Sequence, residues 1–412
     1  MKNLDKKTKA YALKNAITYD GKAKIGSVIS ALFNEGLKKA DVKKYSKKIS
    51  EIVSEVNSMS FDAQKKAFNA LRDEVSARET RQGLEELPNA KKGKVIMRFA
   101  PSASGPLHIG HAMTSSLSFL YVKKYGGRFY IRIEDTNPDN VYKPAYKMIE
   151  KESNWLFDNI EEILIQSYRM EIYYKYVERM VKNKSVYVCT CSHEEFEKYV
   201  NEKKNCPCRN IPVFENSKRW KRMLDKSNGF KQGDAVLRFK SEKGMKDKNP
   251  AMRDFPLARI NETKHPLQGN KYKVWPLMNL AVAIDDVETK VTHVIRAKDH
   301  IDNAKRQEMI YKSLKKKSPW TGFLGRFKFK DMELSTTKMR QAIEQGKYSG
   351  WDDKRLPTLE SIIKQGYKPE AFWRFAEQIG LSENDKVMDR KEYFTLLNSF
   401  NKQNVFKRNN LL

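Results

Sequence analysis

A strand that hands over to a helix through a proline- and glycine-broken turn carrying two histidines constrains this chain more than any other stretch. The segment is Lys94-Val-Ile-Met-Arg-Phe-Ala100, then Pro101, Ser104, Gly105 and Pro106, then His108-Ile109-Gly110-His111. The approach alternates and is β-rich, the turn residues break it, and Met113, Leu117, Leu120 and Tyr121 recur at helical spacing. The histidines therefore fall at a helix N-terminus, where unpaired backbone N–H groups and the helix dipole favour anions. Two imidazoles there can donate hydrogen bonds to a polyphosphate, and Gly110, without a Cβ, would let an adenine ring lie flat on the backbone. The plain alternative is a pair of ordinary loop histidines. Two of only six histidines in the chain, three apart on such a junction, favour function.

At 412 residues the chain exceeds one ordinary core, and roughly two to four domains are expected. No apolar run approaches the roughly 18 residues that span a bilayer, and no apolar stretch follows the lysine-rich start, so a soluble cytoplasmic protein without membrane contact is expected. Lys and Arg number 80 against 51 Asp and Glu, a formal charge of +29 that draws polyanions. Part of that excess is solvated surface, as at Lys315-Lys316-Lys317. All four cysteines fall in one short window, as Cys189-Thr-Cys191 and Cys206-Pro-Cys208. Such pairs suit a tetrahedral zinc site, the alternative being a cluster of free, partly buried thiols.

Five regions are expected along the chain. Residues 1–90 read as an appended helical domain with apolar faces at Ile49, Ile52, Val53, Val56 and Met59 and at Ala67, Phe68, Leu71 and Val75, ending in a linker at 83–93. Residues 91–185 form the first half of a nucleotide-binding α/β fold, in which Arg128-Phe-Tyr-Ile-Arg-Ile-Glu134-Asp135 is a second strand ending in carboxylates and helical patterns run from Tyr146 to Leu164 and from Met170 to Val181. Residues 186–265 are an inserted module of mixed α and β, containing the cysteines. Residues 266–345 resume the nucleotide fold, with strand-like sequence at 274–284 and 291–296. Residues 346–412 read as helical and polar. Asp285, Asp286, Glu288 and His293 could be taken for a metal site, but acidic loop residues between two strands are the better reading.

With these residues in view, the chain resembles a class I aminoacyl-tRNA synthetase, most closely an archaeal-type glutamyl-tRNA synthetase. His108-Ile109-Gly110-His111 matches the first signature of that class, and Glu333-Leu-Ser-Thr-Thr-Lys338-Met-Arg340 is similar to the archaeal form of its second, lysine-bearing signature. Gly350-Trp-Asp-Asp353 and Arg355-Leu-Pro-Thr-Leu359 resemble a further stretch shared by glutamyl and glutaminyl enzymes. The resemblance implies an α/β, Rossmann-type parallel-sheet catalytic domain with an inserted α+β acceptor-binding module and helical N- and C-terminal domains. It implies ATP-dependent ligation of glutamate to tRNA(Glu) through glutamyl-adenylate, with Mg2+ arriving on ATP and held chiefly by its phosphates.

By the same resemblance His108, His111 and Lys338 are the catalytic donors, and Gly110 and Ser335 join them around ATP. Arg98 and Arg296 would face the side-chain carboxylate of glutamate, while Ala100, Ser102 and Glu134 line its backbone end, Glu134 suiting the ammonium. An arginine at position 296 favours glutamate over glutamine. The competing place for either arginine is a buried structural ion pair. Zinc on Cys189, Cys191, Cys206 and Cys208 would be structural, shaping the insertion that guides the tRNA acceptor end.

Some residues depart from the family's pattern. Thr336 replaces one signature lysine, Met278 and Val282 stand where bacterial members show tyrosine and asparagine, and Lys354 stands for a common proline. The resemblance also implies C-terminal anticodon-binding β-barrels; the sequence stops after the helical segment, as a fragment, one half of a split enzyme or a natural short form would, and a separate anticodon-binding chain or other synthetase-complex proteins are the partners that the split form would imply. Two further readings are a paralogue that glutamylates a modified tRNA nucleoside and a non-catalytic zinc-containing tRNA-binding protein.

Overall fold

A computed structural model describes residues 3–76 and 83–402, arranged as two compact units, Met1–Arg81 and Gln82–Leu412. The first unit contains α1 (Leu4–Thr18), α2 (Ile25–Asn34), α3 (Val42–Ser58) and α4 (Phe61–Leu71). Leu13, Leu32, Ile49, Val53 and Val56 form its buried centre, as the helical spacing of the apolar residues predicts. Ser60 caps α4, its hydroxyl accepting the Ala63 N–H at 3.4 Å, and the buried Gln64 amide donates to the carbonyls of Gly21 and Val56.

The second unit begins with the expected strand–turn–helix, β1 (Ile96–Phe99) and α5 (Ile109–Tyr125), followed by β2 (Arg128–Ile133), α6 (Ala145–Leu156), β3 (Glu162–Ile165) and α7 (Met170–Lys182). β1, β2 and β3 pair in parallel in that order. Next come β4 (Val186–Cys189), α8 (His193–Asn201), α9 (Val213–Leu224), β5 (Val236–Phe239), β6 (Pro256–Ile260) and β7 (Val274–Pro276), the strands forming an antiparallel sheet in sequence order. After α10 (Met278–Glu288), β8 (His293–Ala297), α11 (Ile301–Ser313) and β9 (Trp320–Leu324) complete a second parallel pair. The Thr292 N–H donates to the Ile96 carbonyl at 2.9 Å, setting β8 beside β1. Chain order therefore runs outward from β1 in one direction and from β8 in the other. The gap between them is a topological switch point, where open α/β sheets bind ligands at their carboxyl ends.

The remaining elements are β10 (Phe327–Phe329), α12 (Thr336–Glu344), α13 (Leu359–Lys364), α14 (Pro369–Ile379), β11 (Lys386–Met388) and α15 (Arg390–Lys402). β10 and β11 pair in parallel. Residues 346–402 are not simply polar: Phe372, Trp373, Phe375, Tyr393 and Leu397 are buried, α14 packs on α5, and the Trp373 indole donates to the Leu156 carbonyl at 2.9 Å. Residues 403–412 lie outside the described residues.

Residues 83–93, expected as a linker, open the second unit, where Leu87 is buried and its N–H donates to the Tyr125 hydroxyl at 3.0 Å. Two other expectations need correction. The helical pattern ending at Leu164 stops at Leu156, and Glu162–Ile165 is a strand. The strand-like run 274–284 is a strand only to Pro276 and then the buried helix α10, because an unbroken apolar run does not distinguish a buried strand from a buried helix. Asp285, Asp286 and Glu288 consequently lie on that helix and not in a loop.

Candidate active site

His108 and His111 open α5 as a reciprocal cap. The His108 Nδ1 accepts the His111 N–H at 3.3 Å, the His111 Nδ1 accepts the His108 N–H at 3.4 Å, and the rings stack with centroids 3.7 Å apart. With each Nδ1 acting as acceptor, a neutral imidazole must carry its proton on Nε2. Both are neutral: burial pulls His111 down to about 4, and burial with His111 close by holds His108 well below the usual range. The pair thus offers two Nε2–H donors at the positive end of the helix dipole, where the N–H groups of His108, Ile109 and His111 are already taken.

The loop carrying them is pinned from several elements. The Ile109 N–H donates to the Pro357 carbonyl at 3.0 Å and the Leu359 N–H to the Leu107 carbonyl at 2.9 Å, while a Glu152 carboxyl oxygen accepts the Leu107 N–H at 2.6 Å. The stretch 355–359, singled out beside the signatures, therefore acts as backbone support for the histidines.

The second signature touches this loop. The Ser104 and Thr336 hydroxyls lie 3.1 Å apart, and a Cβ on Gly110 would stand 2.8 Å from Leu334 and 3.1 Å from the His108 ring. Gly110 is needed here for the approach of Leu334 as well as for any flat ligand. Ser335 caps α12, its hydroxyl accepting the Lys338 N–H at 3.4 Å. The Lys338 ammonium sits 2.7 Å from Glu333, both side chains largely exposed.

Across the switch point lies an arginine cluster. Arg98, on β1, donates through Nε and Nη2 to the two oxygens of Asp286 at 3.1 and 3.2 Å. Arg132, on β2 and almost fully buried, reaches Asp286 at 2.6 Å and Glu134 at 3.0 Å. Burial would lower the Arg132 pKa, but the carboxylates of Asp286, Glu134 and Asp285 hold it above the usual value; burial would raise Asp286, but Arg98 and Arg132 keep it down. Ser102 bridges to Glu134 at the carboxyl end of β2, and Ala100 directly follows β1. Arg296, on β8, has no carboxylate within ion-pair reach among the described residues: its Nη1 donates to Gln307 at 3.0 Å and its buried Nε meets no acceptor. Burial, then the nearby positive charge of Arg98, lowers it to about 10.

The reading of Asp285, Asp286, Glu288 and His293 as metal ligands or loop acids is replaced by this network. Asp285 takes Arg169 at 2.7 Å and Gln166 at 2.8 Å, Glu288 takes the Tyr176 hydroxyl at 2.5 Å, and His293 hydrogen-bonds the Pro88 carbonyl at 3.0 Å. Sequence reasoning missed Arg132, Asp286 as its partner, and Glu152. The available signal was an arginine inside the apolar strand 128–133 and two consecutive acids inside an apolar helix.

In the antiparallel module the four cysteine sulfurs lie within 4.8 Å of one another. Cys189 and Cys206 are 3.8 Å apart and Cys191 and Cys208 3.9 Å, close to the roughly 3.8 Å expected between thiolates on one tetrahedral zinc with bonds of about 2.3 Å. Burial and the adjoining thiols of Cys189 and Cys208 push Cys191 up to about 12. Arg219 donates to the Cys208 sulfur at 3.3 Å and the Thr190 N–H at 3.5 Å, contacts suited to a negatively charged thiolate set. The donor set fits zinc.

The profile of the class I tRNA synthetases (E and Q), catalytic domain, matches residues 94–404. Glutamate–tRNA ligases of Methanothermobacter marburgensis and Methanocaldococcus jannaschii are each 41% identical, over 94% and 93% of this chain and 69% and 68% of their own lengths. That of Pyrococcus furiosus is 41% identical over 92% of this chain and 67% of its own. The chain belongs to the class I glutamate–tRNA ligases. In this ligase fold the histidine signature, the lysine signature and the arginine cluster gather around one switch point, while the cysteines lie in the antiparallel module.

Proposed function

We propose that the chain joins glutamate to tRNA(Glu) in two steps, in the cytoplasm, with ATP as co-substrate. In the first, an oxygen of the α-carboxylate attacks the α-phosphorus of ATP, the bond to the bridging oxygen breaks, and pyrophosphate leaves with glutamyl-adenylate formed. In the second, a ribose hydroxyl of the terminal adenosine attacks the activated carbonyl carbon, the bond from that carbon to the phosphate oxygen breaks, and AMP departs while its phosphate or water takes up the hydroxyl proton. No covalent enzyme intermediate is required, so catalysis rests on placement and on donors aimed at the growing phosphate charge.

His108 and His111 supply two neutral donors to the phosphates. Lys338 adds a cation once it leaves Glu333. Mg2+ would travel with ATP.

The observation that carries the reading is Arg296, half-buried on β8 with its Nε buried and unpartnered and with no carboxylate in ion-pair reach among the described residues. Arg98, Arg132, Arg169 and Arg296 outnumber the carboxylates they meet, Asp285, Asp286 and Glu134, by one charge, which the γ-carboxylate of glutamate would balance. Glutamine would bring none. Because Asp286 occupies Nε and Nη2 of Arg98, we assign Arg296 the larger share of carboxylate binding and Arg98 the flank. Glu134 and Ser102 hold the ammonium end, beside Ala100.

Glutamate-dependent ATP–pyrophosphate exchange with tRNA(Glu) present tests the proposal. Arg296→Ala should raise the KM for glutamate by about 10² while the KM for ATP moves little, since a buried carboxylate would lose its charged partner. Equal losses for both substrates would place Arg296 in a purely structural role.

Cys189, Cys191, Cys206 and Cys208 would hold one structural Zn2+ that stabilises the antiparallel module for acceptor-end recognition. Elemental analysis of protein prepared without chelator should find one zinc per chain, and its removal should impair charging more than exchange. Absence of zinc would leave four free thiols.

A further inference from the structure

Glu152 is wholly buried on α6, where an acid is costly, yet among the described residues it forms no ion pair. Its Oε2 accepts the Leu107 N–H at 2.6 Å and its Oε1 meets no hydrogen-bond partner. Leu107 immediately precedes His108. Besides the histidines' own cap, the backbone leading into α13 restrains this loop: the Pro357 carbonyl accepts the Ile109 N–H and the Leu359 N–H donates to the Leu107 carbonyl. Without Glu152 the Leu107 N–H, buried at the helix entry, would lose its acceptor. We propose that Glu152 is a positioning residue for the histidine pair, its carboxyl group fixing, through the Leu107 N–H, where His108 and His111 present their donors.

The charged groups facing it are Glu360 on α13, which pushes its pKa upward, and Lys151 on its own helix, which pulls the other way; Lys151 and Glu360 are themselves paired at 2.7 Å. The Leu107 and Glu360 backbone N–H groups also pull downward, but burial outweighs them and raises the carboxyl to about 8. Near neutrality it is therefore mostly protonated. Loss of that proton at higher pH would place a negative charge one residue from His108, against the phosphates the histidines are to receive. The proposal rests on the phosphate-binding reading of the histidines.

Full-length wild type, Glu152→Gln and Glu152→Ala are compared in glutamate-dependent pyrophosphate exchange with tRNA(Glu) from pH 6.5 to 9.5. Glu152→Gln keeps an oxygen acceptor without a charge, and its kcat at pH 7 should stay within about threefold of wild type. Glu152→Ala should lose about tenfold or more in kcat with little change in the KM for glutamate. Wild-type exchange should fall as the pH rises through about 8, whereas the Glu152→Gln rate should not. If Glu152→Ala does not fold, these alkaline limbs alone decide. Identical alkaline limbs, a glutamine variant as impaired as the alanine one, or a folded alanine variant as active as wild type would each overturn the positioning role. Absence of exchange in the wild type would instead overturn the functional reading beneath it.

Discussion

The two signature loops meet at the Ser104–Thr336 contact but are built in opposite ways. The histidine loop is held by its own cap, by the 357–359 backbone and by Glu152, so its donors are in place before any ligand binds. The lysine loop carries its cation at the surface, on an ion pair with Glu333 that solvent and salt weaken. A site that must bind ATP and later release pyrophosphate needs both: fixed donors that have lost their orientational freedom in advance, and a cation able to arrive and leave.

The rigid side should show the largest effect. His111→Ala removes a donor and the acceptor that caps His108 N–H, and exchange should fall by about 10² to 10³ with little change in glutamate KM. An unchanged rate would remove the histidines from the chemistry. The neutrality of the pair adds a pH signature. Because burial lowers His111 from 6.5 to about 4, its neutral form favours the folded state above pH 6.5, and this contribution is lost as the pH falls toward 4. The loss should reach about 3 kcal/mol, read as a steeper drop of Tm with acid in wild type than in His111→Gln. Equal acid limbs would show that the imidazole remains solvated.

The rigid loop was also the part most legible in the sequence. Its strand, turn and helix are local, and two histidines at a helix start carry meaning without knowledge of the rest of the chain. The supports were not local. Arg132 and Asp286 are 154 positions apart, and Asp286 sits in an apolar run that fits a strand as readily as a helix. Glu152 lies in Glu150-Lys151-Glu152, which reads as an ordinary solvated helix face until α13 covers it. The four cysteines were legible as a cluster because spacing alone brings them together, whereas Arg219 on Cys208 could only be seen in the folded module.

On the mobile side the expected effects are smaller. Lys338→Ala should slow exchange by about 10- to 100-fold and leave Tm within error, because an exposed ion pair contributes little to folding. A large drop in Tm would mean that the loop is as structural as its histidine counterpart. Lys338→Arg should restore only part of the rate, since a planar fork does not reproduce a compact ammonium.

The smallest effect distinguishes a resting place from a working one for the same lysine. If Glu333 merely holds the ammonium between turnovers, Glu333→Gln frees Lys338 without harming the site, and exchange should rise or fall by no more than about threefold. The wild type alone should then show a slight gain from added salt at fixed ATP, because screening weakens the Glu333–Lys338 pair, while the variant has no pair to lose. Salt also screens ATP itself, so the informative quantity is the difference between the two proteins across one salt series. Parallel curves, or a loss of 10-fold or more in Glu333→Gln, would make the ion pair part of the active arrangement, and the lysine loop would then be as preset as the histidine loop it faces.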